Sequence, residues 1–441
     1  MIEKIIKNEM LKTTSCSHDL KENSPLTDQL VQELKKKYVV IYPAGYVGQL
    51  LQKTLSEYGV TIDAFLDRDT EKVLKTTSIP IMEPSQSTDL PDNSVVLVTA
   101  NLDSMVDLLS NIIRQHNDKL TILNGFEINR SLRHSICSSK LANQIHFDLV
   151  ECENCGFERH GCSICDKYLK KVAGSEALEN DWRSKSFDWF GYIVGQVCTL
   201  KCIHCCEAIP FLKDHKFVPI DVIVADIQRV ASSSRFLTFV ELIGGEPFLH
   251  PDYPELLKEL LKIKNIGYIK SFTNGTVVPG EDLCQIMKNP RFMLQISNYE
   301  KQATGKLLEN INKTRQILKE QKIQYIFTQN FEWQDFSSFD LNNENKKSIK
   351  KIFEACPLHC CNRLFNGNLY RCPHQYAGVE LGKLKKLEVE SIEINKLDER
   401  DLAKALEAFE NVEYIDACRY CTMPFDAPTV PAGLQLGAYT G

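Results

Sequence analysis

Cysteine is the most unusual feature of this 441-residue chain, which contains 17 of them. Cys198, Cys202 and Cys205 lie within one short segment, residues 198–205, which we name the cysteine loop. Three thiolates this close can bind one compact inorganic cluster, for which cysteine thiolates are the usual protein ligands. A closed structural site uses four protein ligands, so three leave one position open. The loop therefore predicts a 4Fe–4S cluster with one reactive iron, and we interpret the adjacent Cys206 as a spare thiol.

A second set of thiols lies near the end of the sequence. Asn366-Gly367 is a strong type I′ turn signal, and a hairpin at this point folds Cys372 back toward Cys356. Two further thiols follow an intervening helix. The C-terminal cysteine set is then Cys356, Cys372, Cys418 and Cys421. Four thiolates predict a closed site, which is either an iron–sulfur cluster or a structural zinc.

A third group forms two C-x2-C pairs, and its members are Cys152, Cys155, Cys162 and Cys165. Disulfide frameworks belong mostly to short secreted chains, so this spacing indicates a metal in a reducing compartment. Zinc and a third iron–sulfur cluster both fit these connector cysteines. Because four thiolates already fill a tetrahedral site, we do not expect the nearby His160 to be a ligand.

Composition limits the functional class. Hydrophobic residues make up 43% of the chain, charged residues 25%, and the net charge is −6. This is ordinary for a globular protein, and it provides no basic field for nucleic acid. No apolar run reaches the roughly 18 residues that span a bilayer, and residues 1–12 lack a secretory apolar core. We expect a cytoplasmic protein that binds neither nucleic acid nor membrane.

The first half of the chain predicts a small domain. After a helical or loose leader at residues 1–36, strands at 38–42, 61–66, 94–99 and 120–123 alternate with helices over residues 37–130. Such alternation is typical of a parallel, Rossmann-like sheet. Gly45, Gly48 and Asp67 suit a nucleotide loop, but Pro43 stands where its first glycine is expected. The segment resembles Rossmann-like modules of sugar-modifying enzymes, and nucleotide binding and a docking role both remain open.

The remaining sequence divides into three parts. The cysteine-rich connector covers residues 131–185 and leads into a second α/β unit at 186–340. Its strands are expected at 190–195, 237–242, 268–273, 292–297 and 324–328, with helices between them. The polar residues 341–351 are interpreted as a linker, and the last part, 341–441, as a hairpin followed by a helix.

The cysteine loop, with His204 before its last cysteine, resembles the signature of the radical S-adenosylmethionine (SAM) superfamily. A second strand end carries Gly244, Gly245, Glu246 and Pro247, which resemble the family's GGEP motif. The resemblance implies that Glu246 meets the methionine ammonium and that Asn274 and Ser297 line the SAM pocket. It also implies a partial (β/α)6 barrel whose site lies at the C-terminal strand ends.

The C-terminal cysteine set resembles a twitch domain, the short form of the SPASM domain, through its C-x10-G-x4-C run and final C-x2-C pair. This likeness implies one auxiliary 4Fe–4S cluster. Cys360 and Cys361 lie too close to Gly367 for the family pattern. In such enzymes a reduced cluster passes one electron to SAM, and the 5′-deoxyadenosyl radical takes hydrogen from the substrate.

The predicted function is that of a radical SAM enzyme of oxidoreductase type. Its substrate is expected to be a small polar molecule, such as a sugar or nucleotide-linked sugar, that is dehydrogenated or epimerised. Its expected partner is a reductant such as flavodoxin or ferredoxin. The alternative within the class is a peptide maturase, although the Rossmann-like front domain favours a metabolite. The alternative from another class is a non-catalytic iron–sulfur or zinc protein for electron transfer or binding.

Overall fold

We describe a computed structural model of the chain, and its described residues are 25–68, 79–100, 103–142, 182–183, 187–323, 325–328, 332–342 and 345–436. The chain divides into two compact units, residues 1–165 and 166–441. The connector cysteines, like His160, lie outside the described residues. Their metal assignment therefore stays a prediction.

The first unit contains a five-stranded parallel sheet in the order β3-β2-β1-β4-β5. Its strands are β1 Tyr38–Tyr42, β2 Ala64–Leu66, β3 Ile81–Met82, β4 Ser94–Val98 and β5 Thr121–Asn124. Its helices are α1 Pro25–Leu34, α2 Tyr46–Glu57, α3 Asp103–His116 and α4 Gly125–Ala142. The predicted α/β architecture of this region is confirmed.

Apolar strands explain this sheet. All five residues of β4 are buried, as are four of the five in β1, because helices cover both faces of a parallel sheet. Helix α1 contributes Leu30, Val31 and Leu34 to the same core. The part of the expected leader that the structure describes therefore packs as a component of the first unit.

The second unit is built on an eight-stranded sheet in the order β10-β9-β8-β7-β6-β12-β13-β14. Its strands are β6 Trp189–Gly195, β7 Leu237–Gly244, β8 Ile266–Thr273, β9 Phe292–Ile296, β10 Tyr325–Phe327, β12 Arg363–Phe365, β13 Asn368–Tyr370 and β14 Ser391–Glu393. Strands β6 to β10 are parallel neighbours in chain order. This arrangement is consistent with the expected partial barrel, and the sixth parallel strand, β12, comes from the C-terminal segment.

Two short strands form a separate pair in the second unit, β11 Glu332–Gln334 and β15 Thr429–Pro431. The helices are α5 Ile220–Ser233, α6 Tyr253–Leu260, α7 Glu281–Met287, α8 Gly305–Glu320, α9 Lys346–Ala355, α10 Pro373–Glu380 and α11 Glu399–Glu410. One hydrophobic core joins the barrel strands to the hairpin and α11. No helix in the described part of the chain is long and apolar enough to cross a membrane.

The linker predicted at residues 341–351 is wrong in its second half. Helix α9 begins at Lys346, and the Asn345 side chain caps it by accepting a hydrogen bond from the Lys347 amide at 2.9 Å. Charged residues cover one face of this helix while Ile349 and Phe353 are buried. High overall polarity concealed an amphipathic pattern in a short helix.

Candidate functional site

The cysteine loop follows β6 at the C-terminal edge of the parallel strands. Cys202 is buried, whereas Cys198 and Cys205 are half-buried. Burial raises the pKa of Cys198 to about 11 and also raises the pKa values of the Cys202 and Cys205 thiols. The free thiols therefore keep their protons at neutral pH, and binding a metal cluster must release those protons.

Hydrogen-bond donors surround two of these sulfurs. The Leu200 amide donates to Cys198 Sγ at 3.4 Å, and Asn274 Nδ2 lies 3.6 Å from the same atom. Gln435 Nε2 donates to Cys202 Sγ at 3.2 Å. Such bonds stabilise negative charge on thiolate ligands and help to set the potential of an iron–sulfur cluster. The three thiols therefore fit a cluster, although no three His, Cys, Asp or Glu side chains among the described residues converge on a point that could hold a single metal ion.

Glycines at the end of β7 let this strand approach the backbone of residues 195–197, which directly precede the cysteine loop. A Cβ on Gly245 would lie 2.0 Å from the Val197 carbonyl oxygen, and Gly244 has a φ of +125°. The Gly245 amide donates to the Gly195 carbonyl at 3.0 Å, and the Glu246 amide donates to the Val197 carbonyl at 2.8 Å. These glycines are required for close approach of two backbones, and Pro247 then starts a short 3₁₀ turn.

Glu246 is buried, and its carboxylate joins two strand ends. Oε1 accepts hydrogen bonds from Thr273 Oγ1 at 2.8 Å and the Phe248 amide at 3.0 Å, and Oε2 accepts one from the Asn274 amide at 2.8 Å. Burial raises the pKa of Glu246 to about 7 in spite of these donors. A cation placed beside the carboxylate would favour its charged form.

Asn274 links the end of β8 to the cysteine loop. Its Nδ2 donates to Thr199 Oγ1 at 2.9 Å, and its Oδ1 accepts from the Thr276 amide at 2.9 Å and from the Thr276 hydroxyl at 2.6 Å. Thr199 and Thr276 also share a hydrogen bond of 2.6 Å. The Asn274 side chain is therefore held by the loop and its own turn. This role was not predicted from the sequence.

Ser297 follows β9, and its amide donates to the Thr273 carbonyl at 2.9 Å. Its hydroxyl is hydrogen-bonded to the Tyr299 phenol. Burial and the nearby Cys202 raise the pKa of that phenol well above its usual value. Glu300 is paired with Arg315 at 2.6 Å, so its carboxylate is already engaged. His204 Nδ1 lies 2.9 Å from Asp335 Oδ2, which ties the cysteine loop to the residue after β11.

The family model described as "Radical SAM superfamily" matches residues 192–319, which contain the cysteine loop, the Glu246 turn, Asn274 and Ser297. The chain carries a radical SAM domain. This confirms the resemblance at the level of the superfamily, and the family implies a 4Fe–4S cluster and SAM.

Curated relatives match only part of this chain. A GTP 3′,8-cyclase of Lactiplantibacillus plantarum is 30% identical over 80 residues, which are 18% of this chain and 24% of that protein. A GTP 3′,8-cyclase of Clostridium perfringens is 27% identical over 119 residues, 26% of this chain and 36% of that protein. The matches thus span about a quarter to a third of the relatives' length.

Solved structures with a partial likeness include anSMEcpe with bound AdoMet, at 14% identity and a TM-score of 0.34, covering 53% of this chain and 83% of that chain. BtrN in complex with AdoMet and 2-DOIA has 12% identity and a TM-score of 0.34, covering 54% of this chain and 94% of that chain.

Beyond the radical SAM domain, the C-terminal cysteine set lines a single void. Cys356, Cys372, Cys418 and Cys421 all face it, together with apolar residues such as Phe353 and Met423. The Leu358 and Gln375 amides donate to Cys356 Sγ and Cys372 Sγ, each at 3.4 Å. Burial raises the pKa of Cys418 to about 12 and that of Cys421 to about 11.

The thiols of Cys360 and Cys361, which lie close to Cys356 in sequence, do not line this void. Cys361 is hydrogen-bonded to Cys360, and this bond together with burial raises the pKa of the Cys361 thiol. The void is therefore lined by Cys356 and by neither Cys360 nor Cys361.

A cavity of about 460 Å³ lies between the radical SAM domain and the C-terminal segment. On one side it is lined by His204, Cys205, Cys206 and Phe211, and on the other by Phe336, Ser337, Phe339, His374 and Lys383. His374 and Phe336 also line the void of the C-terminal cysteine set, so they form the wall between the two spaces. Burial lowers the pKa of His374 to about 4, which keeps its ring neutral.

Sequence reasoning missed two buried ion pairs in the second unit. Lys270 Nζ lies 3.4 Å from Glu241 Oε1 across the β7–β8 pair, and both side chains are at most 10% exposed. Arg363 Nε on β12 donates to Glu207 Oε1 at 2.7 Å. A signal was present for the first pair, since Glu241 and Lys270 are the only charged residues of β7 and β8.

In the first unit, Asp67 follows β2, and its side chain contacts the candidate nucleotide loop at residues 43–48. Its Oδ2 accepts a hydrogen bond from the Ala44 amide at 3.0 Å. A Cβ on Gly48 would lie 2.3 Å from the Pro43 carbonyl oxygen, so this glycine serves the packing of the loop itself. The acid that would meet a ribose in a nucleotide loop is thus hydrogen-bonded to the loop backbone.

Proposed function

We propose that the enzyme cleaves SAM reductively at an open 4Fe–4S cluster on Cys198, Cys202 and Cys205 and abstracts hydrogen from a small polar substrate. The single observation that carries the proposal is the hydrogen-bond network from Glu246 through Asn274 to the cysteine loop. It joins the ends of β7 and β8 to Cys198 and Thr199 of the cysteine loop, so that one edge of the sheet can hold both cluster and SAM. Pre-organised donors and acceptors of this kind position reactants without reorganisation.

The chain's own residues supply binding and orientation. Bound cluster and SAM together supply one-electron cleavage of a carbon–sulfur bond and a carbon radical. Glu246 presents a buried carboxylate to the methionine ammonium, and Gly244, Gly245 and Pro247 shape the turn that carries it. Ser297 and Asn274 face the same edge, and His204 is held by Asp335. Burial of the network excludes water from the reacting groups.

The C-terminal cysteine set is proposed to hold an auxiliary 4Fe–4S cluster. Four thiols around one void provide a closed ligand set with no position for substrate. In an alcohol dehydrogenation, hydrogen abstraction leaves a carbon radical that must lose one more electron, and its hydroxyl proton, to give the carbonyl product. Cys356, Cys372, Cys418 and Cys421 would hold the group that supplies an acceptor for that electron, with His374 between their void and the cavity.

The substrate is proposed to occupy the cavity of about 460 Å³. This volume suits a small molecule, since ligand pockets typically measure about 300–1,000 Å³. Lys383 and Ser337 offer a cation and a hydroxyl to a polar ligand, and Phe336 and Phe339 offer apolar walls. A sugar or nucleotide-linked sugar fits this chemistry, with dehydrogenation or epimerisation as the outcome and flavodoxin or ferredoxin as the reductant.

Isotope transfer tests this function. Reconstituted, reduced enzyme is incubated with SAM and perdeuterated sugars, sugar nucleotides or short cysteine-containing peptides, and the 5′-deoxyadenosine is analysed by mass spectrometry. Deuterium from a sugar would support the proposal, and a ketone product would indicate dehydrogenation. Deuterium only from a peptide would support the maturase alternative. SAM turnover without deuterium from any of these classes would contradict the proposed substrate.

A further inference from the structure

The last described segment of the chain, residues 429–436, returns to the cysteine loop, and we name it the C-terminal strap. It begins as β15, which pairs antiparallel with β11. Beyond β15 the strap crosses the loop, where Gln435 forms an isolated antiparallel bridge with Cys202. Gly433 makes this path possible, because its φ is +73° and a Cβ there would lie 2.4 Å from the Tyr299 ring.

Three successive residues of the loop are bonded by the strap. The Ile203 amide donates to the Leu434 carbonyl at 2.8 Å, and the Leu436 amide donates to the Lys201 carbonyl at 2.8 Å. Between them, the Gln435 side chain makes three hydrogen bonds, one of them from Nε2 to the Gly433 carbonyl of the strap itself at 2.5 Å. Its Oε1 accepts from the Lys201 amide at 2.7 Å, and its Nε2 donates to Cys202 Sγ at 3.2 Å. One side chain therefore contacts both the loop backbone at Lys201 and the sulfur of Cys202.

We propose that Gln435 is a positioning residue for the open cluster, and that its amide raises the reduction potential by donating to the Cys202 sulfur. Reduction adds negative charge to a cluster and its thiolates, and a hydrogen bond to a ligand sulfur stabilises that charge. Without the bond the reduced state is less stable, so the potential becomes more negative. The proposal rests on the open-cluster assignment made under the proposed function.

The strap also connects the two cysteine sites along the chain. A short segment, residues 422–428, joins Cys421 of the C-terminal set to β15. The carbonyl of its last residue, Pro428, accepts a hydrogen bond from the Asp335 amide at 2.8 Å. Asp335 in turn contacts His204 of the cysteine loop at 2.9 Å. The strap thus reaches the loop from the auxiliary site and is not an isolated tail.

An EPR-monitored redox titration of the full-length, reconstituted protein tests the proposal. Gln435→Met removes all three side-chain hydrogen bonds without adding charge. Gln435→Glu keeps an acceptor for the Lys201 amide, loses the donor to sulfur and adds a negative charge beside it. Gln316→Leu is the control, because Gln316 lies on the exposed face of α8 and bonds only to Glu320, at 2.8 Å. The auxiliary cluster of each variant is the internal reference.

At the wild-type midpoint potential, we expect the ratio of reduced to oxidised open cluster to fall about tenfold in Gln435→Met, because the bond stabilises the more negative, reduced state more than the oxidised state. This corresponds to a shift of about 59 mV for a one-electron couple. We expect a larger fall in Gln435→Glu, whose carboxylate adds a like charge beside the cluster. The auxiliary cluster and the Gln316→Leu protein should show no shift. If Gln435→Met loses the open cluster altogether, the potential is measured in Gln435→Glu.

Two results would overturn the proposal, and they are distinguishable. If wild-type protein holds no EPR-active cluster that depends on Cys202, the proposed function fails and the role of Gln435 fails with it. If that cluster is present and Gln435→Glu leaves its potential unchanged, the proposed function stands and the inference about Gln435 is wrong.

Discussion

Gly245→Ala tests how the radical SAM domain joins its two motifs. In the structure, a Cβ at this position would lie 2.0 Å from the Val197 carbonyl oxygen and 2.5 Å from the Val197 carbonyl carbon. Real Cβ contacts essentially never fall below 3.0 Å. The end of β7 must therefore move by about 1 Å relative to Val197, the residue directly before Cys198. Both sides of the contact are backbone, so no side chain can rotate away.

The expected cost follows from two contributions. Overpacking of a well-packed site costs about 1–3 kcal/mol, and an unyielding backbone contact belongs at the upper end of that range. The shift also weakens the 2.8 Å bond from the Glu246 amide to the Val197 carbonyl, which adds about 1 kcal/mol. We expect the free energy of unfolding to fall by about 3 kcal/mol or more, measured on the metal-free protein in urea.

Gly280→Ala is the matched control for this prediction. Gly280 precedes α7 with a φ of −74°, and a Cβ there would meet no atom within 4 Å. Gly280 is the N-cap residue of α7, so its substitution should cost no more than about 1 kcal/mol. Gly245→Ala should also lose the iron of the open cluster while keeping the auxiliary cluster. Equal stability and equal iron content in the two variants would refute the steric account of the GGEP glycines.

Three further predictions concern Glu246, the C-terminal cysteine set and the buried Glu241–Lys270 pair. Burial raises the pKa of Glu246 from 4.5 to about 7, so the folded state retains a proton that the unfolded state has released, and the metal-free protein should lose up to about 3 kcal/mol between pH 4.5 and 7. Glu246→Gln should abolish this slope in a urea titration series, and an unchanged slope would contradict the assignment. Cys418→Ser should remove about four irons per chain in iron and sulfide assays. Cys360→Ser should remove none, and the opposite pattern would exchange their roles. Glu241→Gln should cost about 3–5 kcal/mol by leaving Lys270 buried without its carboxylate. Glu241→Gln combined with Lys270→Met should recover most of that loss, and a double variant no more stable than the single one would refute the pairing.

Much of the fold was predictable because apolar runs identify buried parallel strands. The expected strand at residues 38–42 matches β1, and those at 237–242 and 292–297 match β7 and β9 within two residues at each end. Periodicity failed where elements are short or polar. Helix α9 looked like a linker, and the β11–β15 pair was missed because each strand has three residues and its partner is distant in sequence.

The candidate site was predictable where type and spacing are local. The three thiols of the cysteine loop and the GGEP turn could be found because each lies within a few residues. Choosing Cys356 over Cys360 and Cys361 needed the family pattern. Gln435 could not be found, since it meets Cys202 only because residues 429–436 fold back across the loop. Contacts between distant segments carry no local sequence signal.

Release of 5′-deoxyadenosine from SAM tests the central claim most directly. The protein is purified anaerobically, reconstituted and reduced, and the product is quantified by chromatography for wild type, Cys202→Ala and Cys284→Ala. Cys284 is a buried thiol of α7 outside both cysteine sites, so its variant reports on the loss of a core thiol alone. We predict 5′-deoxyadenosine from wild type and Cys284→Ala and none from Cys202→Ala. Reductive cleavage of SAM by Cys202→Ala would contradict the assignment of the open cluster to the cysteine loop.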